Sequence, residues 1–198
     1  MPRWAQPLLL AAALLLLLVP AAPSATLEAD AARTRNLLVN GDSLAVGTAP
    51  YIPAALRRWR VSQSTAISRH AFEGASVMRA YGRSLPRVIH VSLGTNDDPR
   101  SLSGFRAAIR EVMAVAGPRR CVVWANIVRP PVGGASYAGY NRVLAEESRP
   151  RKNLRVIDWA RMVREHSYWL AGDGVHVSAD GYRYRASRVA RSVRRCHN

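Results

Sequence analysis

Short apolar runs alternate with amphipathic stretches from residue 36 to the end of the chain. Apolar runs of this length between turn residues are typical of buried strands, and apolar residues spaced by three and four are typical of helices. The pattern predicts five buried strands, at 36–40, 60–67, 87–93, 121–127 and 154–158. It also predicts helices at 71–81, 102–116, 137–148 and 178–195, the last with Ser178 as its N-cap. This alternation indicates an α/β fold with a parallel sheet covered on both faces.

Polar residues follow several of the predicted strands at the point where each strand ends. Ser43, Ser68 and Asn96 come directly after the first three strands. Ligands of open parallel sheets bind beyond the carboxyl ends of the strands. The three residues are therefore expected to lie at the edge where such a fold carries its functional site.

Ser43 is the candidate nucleophile, and Asp173-Gly174-Val175-His176 is the candidate source of its base. A serine hydroxyl is a weak nucleophile and needs an adjacent base. His176 would take the serine proton, while Asp173 would orient the imidazole and stabilise its charged form. Ser43 taken alone is equally consistent with a helix N-cap in a Gly-Asp-Ser turn, and His176 alone with a structural histidine. The joint occurrence of the two motifs favours a serine hydrolase.

Asn96 lies in the motif Gly94-Thr95-Asn96-Asp97, after the third predicted strand. An asparagine amide at this position can donate a hydrogen bond to the oxyanion that develops during acyl transfer. The alternative role is that of a turn asparagine that bonds only to the backbone. The N–H of Ser43 would be a second donor.

The three motifs, in this order, resemble three of the four sequence blocks of the SGNH (GDSL) hydrolase superfamily. The resemblance implies a flavodoxin-like, three-layer α/β/α fold with a five-stranded parallel sheet. It also implies ester hydrolysis through an acyl-serine intermediate, without metal or cofactor. The fourth block normally contains a glycine whose N–H completes the oxyanion hole. Here Ser68 occupies the glycine's place, and Gly74 is the alternative donor.

Two other hydrolase groups bear on this interpretation. The nucleophile elbow of the ordinary α/β-hydrolase fold needs a glycine where this chain has Ala45, so that fold is disfavoured. Several further stretches are similar to the extracytoplasmic SGNH domains of bacterial acyltransferases that O-acetylate cell-wall glycans: 122–126, Arg129-Pro130, Tyr140-Asn141 and 156–159. The candidate functions are a serine esterase acting on a small-molecule or glycan ester, an O-acetyltransferase, and an inactive envelope-binding module.

The N-terminal segment resembles a secretory signal peptide. One cation, Arg3, precedes an apolar run at 8–19, and small residues and prolines follow it. The run is short for a membrane span, which needs about 20 residues, although a retained anchor is the alternative. We expect a signal peptide at 1–25 with cleavage between 21 and 31. An exported, monomeric hydrolase domain is expected at 32–198.

The chain is strongly basic, with a formal net charge of +16, and Lys152 is its only lysine. Such a charge favours anionic partners. The cations are scattered rather than grouped into a basic stretch with interleaved aromatics, so no specific nucleic-acid binding is expected. An anionic cell envelope is the expected partner. No cluster of His, Cys and carboxylate residues indicates a metal site, and we expect His90 to be structural.

Cys121 and Cys196 are the only cysteines, and export permits a disulfide between them. Cys121 opens a predicted strand, and Cys196 closes the last predicted helix. Helices of a parallel α/β sheet run back along the strands, so a helix end and a strand start share the amino edge. The two sulfurs are expected to meet there, far from the catalytic edge.

Overall fold

Five parallel strands form one sheet in the order β2-β1-β3-β4-β5. Their bounds are β1 (Asn36–Gly41), β2 (Arg60–Thr65), β3 (Val88–Ser92), β4 (Cys121–Ala125) and β5 (Leu154–Ile157). This is the flavodoxin-like order, in which the chain reverses direction between β1 and β3. The predicted parallel five-stranded sheet is confirmed.

The structure is a computed structural model that describes residue 1 and residues 35–197, with no side chain described for 197. The described residues from 35 onwards belong to one compact unit. The predicted signal peptide at 1–25 and its cleavage region lie outside the described residues. Within the described part, no helix is both long enough and apolar enough to cross a membrane.

Seven α-helices are described among residues 35–197, five of them between strands and two after β5. The four predicted ones are α3 (Glu73–Ala80), α4 (Leu102–Ala116), α5 (Ala138–Ser148) and α7 (Ala179–His197), and three short ones were not predicted: α1 (Ser43–Thr48), α2 (Ile52–Ala55) and α6 (Trp159–Glu165). The short helices span too few residues to show a helical repeat of apolar positions. The predicted cap of α7 is confirmed, because the Ser178 hydroxyl accepts a hydrogen bond from the N–H of Gly181 at 3.4 Å.

Two apolar cores lie on opposite faces of the sheet. Leu38 and Ile89 point to one face, where they pack with residues of α3, α4 and α5. Leu37 and Val39 point to the other face, towards α1, α2, α6 and α7. Because successive side chains of a strand alternate between faces, a central strand must be apolar at nearly every position. The three-layer α/β/α architecture is confirmed.

The second strand differs from the prediction in two ways. It ends at Thr65 rather than at residue 67, and its side chains are exposed or half-buried. The expectation of a buried strand is wrong here because β2 is an edge strand that pairs only with β1. Its early end releases residues 66–70 into a loop at the carboxyl edge.

Cys121 and Cys196 form the predicted disulfide. It ties the start of β4 to the end of α7 at the amino edge, across a sequence separation of 75 residues. A bridge that closes a loop of this length stabilises the fold by roughly 4 kcal/mol in the chain-entropy model. The bridge therefore anchors the last helix without touching the carboxyl edge.

Candidate active site

Ser43 is the first residue of α1, immediately after β1. The preceding Asp42 is the N-cap, and its Oδ1 accepts a hydrogen bond from the N–H of Leu44 at 3.0 Å. The capping role therefore falls to Asp42 and leaves the Ser43 hydroxyl free to face the cleft. The tight turn needs a glycine at position 41, because a Cβ there would lie 2.4 Å from the Cβ of Ala45.

His176 and Asp173 reach Ser43 from the loop before α7. Asp173 Oδ1 accepts hydrogen bonds from the N–H groups of Val175 at 2.9 Å and His176 at 3.0 Å. Its Oδ2 lies 2.5 Å from His176 Nδ1, and His176 Nε2 lies 2.9 Å from Ser43 Oγ. The structure thus joins the three residues in one hydrogen-bonded chain, although 133 residues separate Ser43 from His176.

The charge state of Asp173 follows from these contacts. The hydrogen bond from His176 and those from two backbone N–H groups lower the pKa of Asp173 to about 2. Asp173 is therefore a carboxylate at neutral pH and accepts a hydrogen bond from the Nδ1–H of His176. With the proton on Nδ1, Nε2 is the ring nitrogen that can accept a hydrogen bond from the Ser43 hydroxyl.

Ser68 lies in the loop after β2 and lines the same cleft as Ser43. Its φ of 61° is the only positive φ of a residue other than glycine between residues 35 and 197. The chain thus adopts at Ser68 a conformation that favours glycine, which agrees with the position of the glycine block in the sequence. No hydrogen bond within the described residues uses the N–H of Ser68.

Gly74, the alternative donor, is placed differently. Its N–H donates to the carbonyl of Ala71 at 3.1 Å, and its own carbonyl accepts from Asn40 Nδ2 at 2.9 Å. A Cβ at this position would lie 2.8 Å from Leu93 Cδ1. Gly74 therefore serves the packing of α3 against the sheet, and the geometry favours Ser68 as the donor.

Asn96 also lines the cleft, and two neighbours set the orientation of its amide. Nδ2 donates to the carbonyl of Arg69 at 3.2 Å, and Oδ1 accepts from Nη1 of Arg129 at 3.4 Å. The same Nη1 donates to the Thr95 carbonyl at 2.6 Å. One N–H of the amide is used by Arg69, and the second is left to bond a ligand.

The cleft that these residues share has a volume of about 520 Å³. Ser43, His176 and Asp173 line one part of it, together with Ser68 and Asn96. The remaining wall is mostly apolar and comes from Ile67, Arg129, Pro130, Pro131, Val132 and Val175. The side chain of Ile67 is 75% exposed, so the cleft opens to solvent beside an apolar residue.

Several supporting residues were not identified as such in the sequence. Arg69 donates to the carbonyl of Ser64 and to that of Gly41, and thereby joins the ends of β1 and β2. Asp97 accepts from the N–H of Ala71 at 3.0 Å and holds the loop that carries Ser68. Asp97 belongs to the motif 94–97, and its place in that motif could have indicated a role at the site. Nothing in the sequence singled out Arg69.

Two histidines outside the candidate site have separate surroundings. His90 is buried in β3, with Nδ1 at 3.0 Å from the Val123 carbonyl, and burial lowers its pKa to about 3. It is therefore neutral and structural, as expected. His70 lies with Nδ1 at 3.5 Å from Asp97 Oδ1 and stacks on Phe72, outside the cleft of Ser43. Within residues 35–197, no group of His, Cys, Asp and Glu is arranged to hold a metal ion.

Comparison with known proteins gave a match for the fold alone. No protein-family model and no curated protein sequence matches the chain. The chain has the fold of the SGNH (GDSL) hydrolases, because many solved structures with this fold superimpose on it, at sequence identities of 10–18%. The predicted resemblance is confirmed at the level of the fold.

Three solved structures illustrate the similarity. The C-terminal catalytic domain of peptidoglycan O-acetyltransferase A from Streptococcus pneumoniae has a TM-score of 0.64 and 16% identity, covering 82% of this chain and 92% of that domain. A lipolytic G-D-S-L family protein from Veillonella parvula has a TM-score of 0.65 and 14% identity, covering 79% and 96%. A family 3 carbohydrate esterase from Clostridium thermocellum has a TM-score of 0.65 and 15% identity, covering 83% and 100%.

Proposed function

We propose that this protein is an exported serine esterase that hydrolyses short-chain acyl esters, acetyl esters above all. The observation that carries the proposal is the hydrogen-bonded chain from Asp173 through His176 to Ser43. The three triad residues line a cleft that Ser68 and Asn96 also line. In this proposal, Ser68 and Asn96 supply N–H donors to the cleft. A nucleophile, a base, an orienting acid and an oxyanion site at one place are the requirements of acyl transfer.

The reaction follows from this geometry. Ser43 Oγ attacks the ester carbonyl while His176 Nε2 takes the hydroxyl proton, and Asp173 stabilises the imidazolium that forms. The N–H groups of Ser43 and Ser68 and the free amide N–H of Asn96 bind the negative oxygen of the tetrahedral intermediate. His176 then gives its proton to the leaving alcohol. Water, activated by the same imidazole, releases the acyl group from Ser43.

The acyl part of the substrate is short in this proposal. An apolar wall formed by Ile67, Pro131 and Val132 borders the reacting serine, and the cleft of about 520 Å³ is open on one side. Esterases with the same fold include a carbohydrate esterase and an acetyl esterase. These observations support an acetyl or similar group on a carbohydrate or lipid alcohol.

A second candidate function is acetyl transfer to a cell-wall glycan. The similarity to the catalytic domain of a peptidoglycan O-acetyltransferase favours it, as do the sequence stretches around Trp124 and Trp159. The two reactions share the acyl-serine and differ in what accepts the acyl group, water or a sugar hydroxyl. Transfer of acetyl to a glycan faster than its release to water would favour the transferase.

The location and partners of the enzyme are also proposals. The signal-like segment at 1–25 and the disulfide Cys121–Cys196 support export, because disulfides persist in oxidising compartments. The net charge of +16 supports attraction to an anionic cell envelope. No specific nucleic acid is proposed as a partner, and a monomer is proposed as the working state.

Hydrolysis of p-nitrophenyl acetate by the purified protein tests the proposal. Ser43→Ala and His176→Ala are each expected to lower kcat/KM by at least about 10³-fold, because neither can form the acyl-serine efficiently. Asn96→Ala is expected to cost about 10²–10³-fold through the loss of one oxyanion donor. Ser103→Ala is the matched control, since Ser103 is exposed on α4 away from the cleft.

A fluorophosphonate probe separates the enzyme from an inactive binding module. Labelling is expected for the protein and for Ser103→Ala and is expected to be absent in Ser43→Ala. If hydrolysis and labelling are equal in all of these proteins, the esterase proposal is wrong.

A further inference from the structure

Arg185 is a fully buried arginine on α7, with an exposed fraction of 1%. Its guanidinium carbon lies 4.8 Å from the ring centre of Trp159, inside the core between the sheet and α7. Arginine is almost never fully buried unless it is paired with a group of opposite charge. Arg185 has no role in the mechanism proposed above. Its burial nevertheless implies that an acidic group lies nearby.

The hydrogen bonds of Arg185 lead to the turn that carries the candidate nucleophile. Nη2 donates to Ser92 Oγ at 2.9 Å, and Ser92 Oγ donates to Asp42 Oδ1 at 3.3 Å. Asp42 is fully buried, and its N–H donates to the Ser92 carbonyl at 2.9 Å. The same Oδ1 caps α1 at Leu44, next to Ser43.

Charge complements this geometry. Burial is the largest influence and raises the pKa of Asp42 above its ordinary value, whereas the positive charge of Arg185 and the hydrogen bonds to the carboxylate oppose this rise. Burial lowers the pKa of Arg185 to about 10, so the guanidinium stays charged at neutral pH. The neighbours His90 and Tyr182 are neutral there, because burial lowers the pKa of His90 and raises that of Tyr182. Arg185 is thus the cation that faces the buried carboxylate.

We propose that Arg185 is a positioning residue of the active site, acting through Ser92 and Asp42 on Ser43. The guanidinium favours the carboxylate form of Asp42, and Asp42 holds the first turn of α1, so that Ser43 Oγ stays 2.9 Å from His176 Nε2. A carboxyl group that gains a proton accepts the capping hydrogen bond less strongly. This inference rests on the proposed esterase function.

The variant Arg185→Met tests the proposal, with Val189→Ala as the matched control. Val189 is buried one helical turn further along α7, in the same core, so its truncation destabilises that core without removing a charge. Arg185→Met is expected to lower kcat about 10- to 100-fold with KM changed less than about threefold, as for a displaced nucleophile. Val189→Ala is expected to lower Tm and leave kcat unchanged well below Tm. Equal kcat in the two variants would overturn the proposal.

Arg185→Lys and Ser92→Ala supply the second test, which is decisive where Arg185→Met fails to fold. The lysine keeps the positive charge and is expected to retain more of kcat than the methionine. Ser92→Ala keeps both charges and removes the hydroxyl that joins them, so kcat is expected to fall by about three- to tenfold. Unchanged kcat in both Arg185→Lys and Ser92→Ala would contradict a positioning role.

Titration of the Asp42 carboxyl group tests this inference independently of the esterase proposal. Carbon-13 NMR of the Asp42 carboxyl group follows its ionisation without any substrate. Arg185→Met, or Ser92→Ala in its place, is expected to raise the pKa of Asp42, because a nearby cation and a hydrogen bond from a hydroxyl both favour the carboxylate. An unchanged pKa would overturn the electrostatic link. Hydrolysis that does not depend on Ser43 would instead overturn the esterase proposal and leave this measurement valid.

Discussion

Ser68 carries a backbone conformation that an L-amino acid adopts only at a cost. Its φ of 61° lies in the left-handed region, where a Cβ meets the neighbouring carbonyl at a cost of roughly 1–2 kcal/mol. A residue held there by its surroundings often marks a functional site. The feature that the proposed mechanism uses is the N–H of Ser68, which every residue except proline provides.

Replacement of Ser68 by glycine tests this role. Ser68→Gly is expected to leave kcat/KM within about threefold, since the N–H is kept. It is also expected to change the free energy of unfolding by less than about 1 kcal/mol, because relief of strain opposes the greater flexibility of glycine. Hydrolysis assays and urea unfolding measure the two quantities. A large loss of activity would show that the hydroxyl, not the N–H, matters.

At the scale of elements, a buried carboxylate joins two helices on one face of the sheet. Glu147 of α5 is 4% exposed and forms ion pairs with Arg106 and Arg110 of α4, at 2.8 and 2.9 Å. Arg151 adds a third contact at 2.7 Å. Burial raises the pKa of Glu147, but hydrogen bonds from two arginines and the charge of the third lower it to about 2.

Glu147→Gln is expected to lower the free energy of unfolding by about 1–3 kcal/mol at pH 7, through the loss of charged hydrogen bonds. The folded-state pKa of about 2 lies below the ordinary value of 4.5, so the carboxylate stabilises the fold above pH 4.5. The difference between the protein and the variant should therefore shrink as the pH falls from about 5 towards 2.

Urea unfolding at several pH values measures this difference. Glu111→Gln is the control, because Glu111 pairs with Arg79 at the surface and is 43% exposed. Exposed pairs contribute about 0–1 kcal/mol, so this variant should differ little from the parent. A difference for Glu147→Gln that stays constant down to pH 2 would contradict the assigned role.

At the scale of the whole molecule, the charges are unevenly distributed between the two edges of the sheet. An arginine or lysine stands at the first residue of every strand or within two residues before it: Arg35, Arg60, Arg87, Arg120 and Lys152. Arg57, Arg58 and Arg194 line a pocket of about 320 Å³ at the same edge. Carboxylates instead follow three of the strands, at Asp42, Asp97 and Asp158, and Asp173 lies beside Ser43 in the loop before α7. An anionic surface would therefore attract the edge opposite the cleft.

Sedimentation with vesicles of anionic phospholipid measures this attraction. The protein is expected to bind at low salt and to dissociate at about 0.5 M salt, where the Debye length is short. Arg57→Gln with Arg58→Gln is expected to weaken binding about tenfold or more, since each basic residue near such a surface contributes about 1 kcal/mol.

The matched control removes the same charge from the other half of the molecule. Arg142 and Arg183 lie in the first halves of α5 and α7, which begin at the carboxyl edge. Arg142→Gln with Arg183→Gln is expected to weaken vesicle binding much less than the amino-edge pair. An equal loss in both variants would show that net charge, and not the amino edge, drives the binding.

The sequence by itself determined the order and type of the main elements and the residues of the three motifs. Apolar periodicity is local, so it predicts β1, β3 and α4 from their own residues. The tertiary structure decided what depends on contacts between distant segments: the exposure of β2 at the edge, the positive φ of Ser68 in the cleft, and the meeting of Ser43 with His176. Arg185 and Asp42 illustrate the reason, because two charges 143 positions apart face each other only after the sheet and the last helix have packed.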